Sequence, residues 1–147
     1  MREAEFVEGA DKLIAVFGYW PSFHDAEVVR MTLDSGRRQD GVAPSVDAMI
    51  HTWESTAEVD ATGYFVLRNH VIVHLRFREI DGLDLRGFNH QNVLSSLQFV
   101  DLRKQGPVRF QFEIQFHDNF GVHGVFRCRT IELLDVSPCD RNGTPTT

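Results

Sequence analysis

Ten residues, Val108 to His117, restrict this chain more than any others. In "VRFQFEIQFH", Val108, Phe110, Phe112, Ile114 and Phe116 alternate without error with Arg109, Gln111, Glu113, Gln115 and His117. A period of two places one set on each face of an extended strand. Such a strand needs a sheet with one dry face and one wet face. Twelve phenylalanines point to an aromatic core behind that dry face.

The same period recurs. In "EVVRMTLDS", Val29, Met31 and Leu33 alternate with Val28, Arg30, Thr32 and Asp34. "SVDAMIHTWE" is less regular. In "GYFVLRNHVIVHLRFREI", Val71, Val73, Leu75 and Phe77 share one face, with a break near Asn69. "VLSSLQFVDLR" and "VHGVFRCRTIELLDVS" supply the remaining strands. "GRRQDGVAPS" and the glycine-rich "DGLDLRGFNHQN" read as loops, and "DNFG" as a turn. One helix is predicted, about Glu3 to Phe17, because Phe6, Ala10, Leu13, Ile14 and Phe17 form a single stripe. Gly18 would end it. No helical pattern separates the strands, so parallel winding is not expected. The expectation is an α+β domain, an N-terminal helix packed on a mainly antiparallel sheet of about six to eight strands. Residues 1–137 would form one domain, and 138–147 a flexible tail with little to bury.

The net charge of −6 does not suit a general nucleic-acid binder, so no nucleic acid is expected. Residues 1–60 hold 12 acids and 5 bases, whereas 61–147 hold 9 acids and 10 bases. An acidic N-terminal half is either a solvated surface or a patch for a basic partner. Cys128 and Cys139 make neither a disulfide framework nor a CxxC motif. The N-terminus lacks the pattern of a signal peptide, and no apolar run is long enough for a membrane span. A cytoplasmic protein without a membrane partner is expected.

Candidate chemistry is sparse. His24 and Asp25 could supply two metal ligands, but neighbours on a strand point to opposite faces. The alternative is a structural corner. There Trp20, Pro21 and Phe23 anchor a crossover, while His24 and Asp25 satisfy backbone groups, with Ser22 and Asp25 at capping-box spacing. A third reading gives the exposed part of the corner, Asp25 and Glu27, to a binding partner. His70 and His74 lie roughly 13–14 Å apart at strand rise, too far to share a metal. His117 and His123 flank a turn and could approach each other. There is no GxSxG elbow, Walker loop or GxGxxG. Cys128 reads as a buried thiol, with Arg127 and Arg129 on the opposite face. The wet face would carry Arg76, Arg78, Arg109, Gln111, Glu113 and Gln115, either as ordinary solvated surface or as a binding face, since arginine is enriched at interfaces. No catalytic residue, metal or cofactor is expected.

The helix, "YWPSFHDAEVVRM", "GFNHQNVLSSL" and "GVHGVFRCRTIELLDVSP" together resemble the immunity protein 50 family of bacterial polymorphic toxin systems, over about Phe6 to Pro138. The Trp20–Glu27 stretch carries the likeness best. The resemblance implies a bacterial protein that neutralises a cognate toxin domain by stoichiometric binding, without turnover. A small regulatory or ligand-binding domain is the alternative, followed by a metal-binding enzyme using His24 and Asp25.

Overall fold

Glycine and proline punctuate this chain so closely that it has little choice but short loops between strands. A computed structural model describes residues 3–146. The elements are β1 (Val7–Glu8), α1 (Asp11–Phe17), β2 (Glu27–Asp34), β3 (Ser45–Val59), β4 (Phe65–Arg78), β5 (Asp81–Arg86), β6 (Val93–Asp101), β7 (Phe112–Phe120), β8 (His123–Cys128) and β9 (Thr130–Pro138). The strands form one mixed sheet in the order β1-β9-β4-β3-β2-β6-β7-β8-β5. Among the described residues only β1 with β9 is parallel.

The middle of that order is thin. β2 meets β6 at a single residue pair, Glu27 with Val93. On either side of this junction the sheet folds back on itself. Phe77 of β4 lies 6.0 Å from Phe99 of β6, 6.1 Å from Phe116 of β7 and 5.2 Å from Phe126 of β8, ring centre to ring centre and edge to face. All four rings are buried. The dry faces of the two halves therefore pack on each other as a sandwich, and their wet faces point away in opposite directions. The chain crosses between halves after β4, where Glu79 is left-handed (φ 52°), and after β8, where the Arg129 amide donates to the Arg78 carbonyl at 2.9 Å.

Asn92 secures the junction. It is buried, and its Oδ1 accepts from the amides of Asn89 (3.0 Å) and Val122 (3.1 Å). Its Nδ2 donates to the carbonyls of Val28 (3.3 Å) and Asn89 (2.7 Å). Gly121 makes the fit possible. It is left-handed (φ 77°), and a Cβ there would fall 2.3 Å from the Gln91 oxygen.

Several expectations change. The molecule is dominated by its sheet, mainly antiparallel as expected, and the short α1 adds Leu13 and Phe17 to the core. The helix has seven residues and starts at Asp11 rather than Glu3. Gly9 (φ 82°) breaks the stripe, and a Cβ there would meet the Leu133 oxygen at 2.6 Å. Phe6 and Leu13 still join the core, but from separate elements. The sheet has nine strands, because the glycine-rich run 81–86 is the edge strand β5. β7 begins at Phe112, and Val108 is exposed. The predicted turn at Asp118–Phe120 belongs to β7. In β2 the buried residue is Val28, while Val29 and Leu33 face solvent. After β9, Cys139 is buried and bridges to Pro145, around a turn held by Asp140. The end of the chain thus buries more than its composition suggested. Cys128 is fully buried, and burial pushes its thiol up to about 12.

Candidate functional site

The Trp20–Glu27 corner is built from conformations that sequence patterns do not show. Phe23 (φ 64°) and Asp25 (φ 66°) are both left-handed. Two such residues, one apart, turn the chain sharply into β2. Pro21 and Phe23 are buried. Trp20, half-buried, packs edge-on to Phe23 at 5.7 Å and against Phe99 at 6.5 Å. The His24 imidazole donates from Nδ1 to the Ser95 carbonyl at 2.9 Å, and the His24 amide donates to Ser22 Oγ at 3.2 Å. His24 thus does satisfy a backbone group. The Asp25 carboxylate does not cap, since no helix follows; the Asp25 amide instead donates to the Leu94 carbonyl at 2.9 Å. Asp25 Oδ1 faces His24 Nε2 at 3.5 Å, with both side chains more than half exposed. Among the described residues no three His, Cys, Asp or Glu side chains are grouped to hold a metal ion.

Beside the corner rises an arm. β3 and β4 pair along nearly their whole length, but β2 leaves β3 at His51 and β9 leaves β4 at Val71. Residues 53–59 and the facing residues 65–69 project past every neighbouring strand, roughly 20 Å at strand rise. Asp60 locks the tip by accepting from Thr62 N (2.9 Å), Thr62 Oγ1 (2.6 Å) and Tyr64 N (3.1 Å); the Thr62 and Tyr64 bonds hold its carboxyl below the usual range. Val59, Tyr64, Phe65 and Leu67 are exposed by 57%, 74%, 66% and 42%. Val59 pairs across the strands with Phe65, and Ser55 with Leu67, so these share one face. Glu54 pairs with Arg68 on the other, where Arg68 also binds Glu58. At the base of the arm, a cleft of about 250 Å³ has Ser55, Trp53 and Thr52 on one side and Tyr19, His24 and Asp25 on the other.

A histidine pair sits where the arm leaves the sheet. His51 Nε2 and His70 Nδ1 are 3.0 Å apart, and Trp53 lies edge-on to the His51 ring at 5.0 Å and tilted against His70 at 5.7 Å. Burial, then the neighbouring charge of His70, lowers the pKa of His51; burial lowers that of His70, and Asp140 opposes both shifts. His74 turns elsewhere, donating to Asp47 at 2.7 Å. The His117 and His123 rings do approach, to 6.1 Å, but each finds its own partner, Gln115 and Asp118.

The polar residues expected on one wet face are divided between two. Arg76 and Arg78 line a groove of about 730 Å³ on the outer face of β2, β3, β4 and β9. Arg76 grips Asp47 with two hydrogen bonds of 2.8 Å, and Arg78 binds Glu132. Burial pushes the Asp47 carboxyl up, but Arg76 and His74 outweigh it and hold it low. Glu113 lies on the opposite outer face, accepting from Gln115 at 2.7 Å and facing Arg127 at 4.0 Å. Arg109 stands at the crossover between halves, 3.8 Å from Glu79, which Arg129 also approaches. Sequence reasoning missed the arm, the histidine pair and Asn92. The arm had a signal: residues 45–78 contain no proline, and Asp60 to Gly63 is their one turn.

Compared with known proteins, the family model described as "Immunity protein 50" matches residues 9–139, from the break before α1 to the end of β9. No curated protein matches the chain, and no solved structure does.

Proposed function

Since the chain belongs to the immunity protein 50 family, we propose that it is an immunity-type binding protein, which neutralises a cognate toxin domain by stoichiometric complex formation and not by turnover. The observation that carries this reading is the extent of the match, which takes in α1 and eight of the nine strands. The corner and the arm supply surface for such a complex. Asp25 and Glu27 remain the favoured contacts. Arg76, Arg78, Arg109 and Glu113 already face opposite charges within the molecule, so less of their charge is open to a partner. A cytoplasmic site of action follows from the reading; among the described residues no helix is long and apolar enough to cross a membrane.

A rescue experiment tests the proposal. The C-terminal domain of the product of the gene immediately upstream is expressed with and without this chain. Survival with it, death without it and co-purification as a 1:1 complex are expected. Toxicity that the chain neither relieves nor binds would overturn the reading. A second reading, a small-ligand protein, is favoured by the groove of about 730 Å³ beside Arg76 and Arg78. Under that reading the chain would rescue no toxin, and Arg76→Ala would abolish binding of the small ligand.

A further inference from the structure

We infer that the partner is held between the apolar face of the β3–β4 arm and the Trp20–Glu27 corner, and that what fits there is a protein surface bearing an apolar patch beside a lysine or arginine. This rests on the immunity reading and specifies its contact surface.

Three observations converge. The first is the arm's apolar face. Val59, Phe65 and Leu67 lie on one side with Tyr64 at the tip, all exposed, while the charged Glu54, Glu58 and Arg68 take the other side. Aromatic side chains displayed together on a projecting hairpin are the kind of anchors that dominate interfaces. The second is continuity. Ser55, opposite Leu67 on the same face, also lines the cleft with Tyr19 and Asp25. The apolar face therefore runs down the arm into a concave surface.

The third is charge. Five acids elsewhere are answered by arginines within the molecule: Asp47 by Arg76, Glu58 by Arg68, Asp84 by Arg86, Asp101 by Arg103 and Glu132 by Arg78. At the corner Asp25 meets only His24, and the Glu27 carboxylate meets no cation among the described residues. The charge left open beside the apolar face is negative, which calls for a cation on the partner. A second copy of this chain would bring acid against acid. The larger groove is a poorer candidate, because its three arginines are already paired with acids.

The test uses the upstream toxin domain as probe. A benzophenone amino acid replaces Tyr64 in one preparation and Val100, on the outer face of the other half, in a second. In parallel, affinity is measured for the double variant Tyr64→Ser/Phe65→Ser, for Asp25→Asn and for Val100→Ser. We expect crosslinks from position 64 and none from 100. The double variant should lose about 30-fold or more in affinity, and Asp25→Asn about tenfold, mainly through slower association. Val100→Ser should bind as wild type, and all variants should keep the wild-type Tm. If wild type binds and rescues but the double variant binds equally well, or crosslinks come from 100 and not 64, the proposed surface is wrong and the immunity reading stands. If position 64 crosslinks only to a second copy of this chain, self-association overturns the proposal. If wild type neither binds nor rescues, the immunity reading falls and takes this surface with it.

Discussion

Asn92 shows how much one side chain can hold. It answers two amides and two carbonyls from three segments, all near the single residue pair that joins the halves. Asn92→Ala would leave those groups short of partners in a buried place. A loss of about 2–4 kcal/mol is expected, measured by urea unfolding. Asp25 makes a different point. Its left-handed backbone suits Asp and Asn but not a β-branched residue. Asp25→Asn should unfold within about 0.5 kcal/mol of wild type, and Asp25→Val should lose about 1–2. His51 should give stability a pH dependence. In the unfolded chain its imidazole takes a proton near about 6.5. In the fold it does so at lower pH, because burial and then His70 oppose the charge. The stability from the neutral pair is complete above the unfolded value and drains as pH falls through it towards the folded one. Tm should drop between about pH 7 and 5, and drop less in His51→Gln. Of these residues the sequence made only the corner legible, through its aromatics and Pro21. Asn92 sits in a run that reads as loop, and nothing local marks a left-handed Phe23.

Strands were legible wherever alternation coincided with two neighbouring strands. Phe112 to Phe116 fulfil the pattern because β6 and β8 flank them. Val108 to Phe110 obey the same pattern and form no strand. They follow Pro107, and pairing resumes only at Gln111, whose carbonyl accepts from Leu102 and whose amide donates to Cys128. Periodicity says what a segment would bury if paired; it does not provide the pairing. β5 failed the other way. Its two apolar residues, Leu83 and Leu85, are too few to announce a strand, yet β8 recruits it. The arm is the element whose behaviour should differ most from the rest. It lacks neighbours and is exposed at its tip, so chymotrypsin should cut first after Tyr64 or Phe65 and leave the remaining sheet folded. Mass spectrometry of the first fragments, with circular dichroism of the nicked protein, checks this. An early cut within β4 between Val71 and Arg78 would contradict it.

At the scale of the molecule, alternation revealed a dry face but not that two dry faces share one core. That depends on Phe77 meeting Phe99, Phe116 and Phe126, contacts between residues far apart in the chain. It also explains why polar residues that seemed to form one surface are divided between two. Because Phe77 serves both halves, Phe77→Ala should cost about 3–5 kcal/mol and lower one shared transition, not split it in two. Calorimetry would show a second peak if the halves melt separately. The two buried cysteines acquire a use from this architecture. Cys128 ends a strand of one half and Cys139 follows the last strand of the other, with both thiols shifted upward by burial. Cys128 is fully buried and Cys139 nearly so, and alkylation of each should report the opening of the structure around it. The chain therefore carries two chemical stopwatches, one in each half, and whether they run in step can be read from the masses of the labelled peptides.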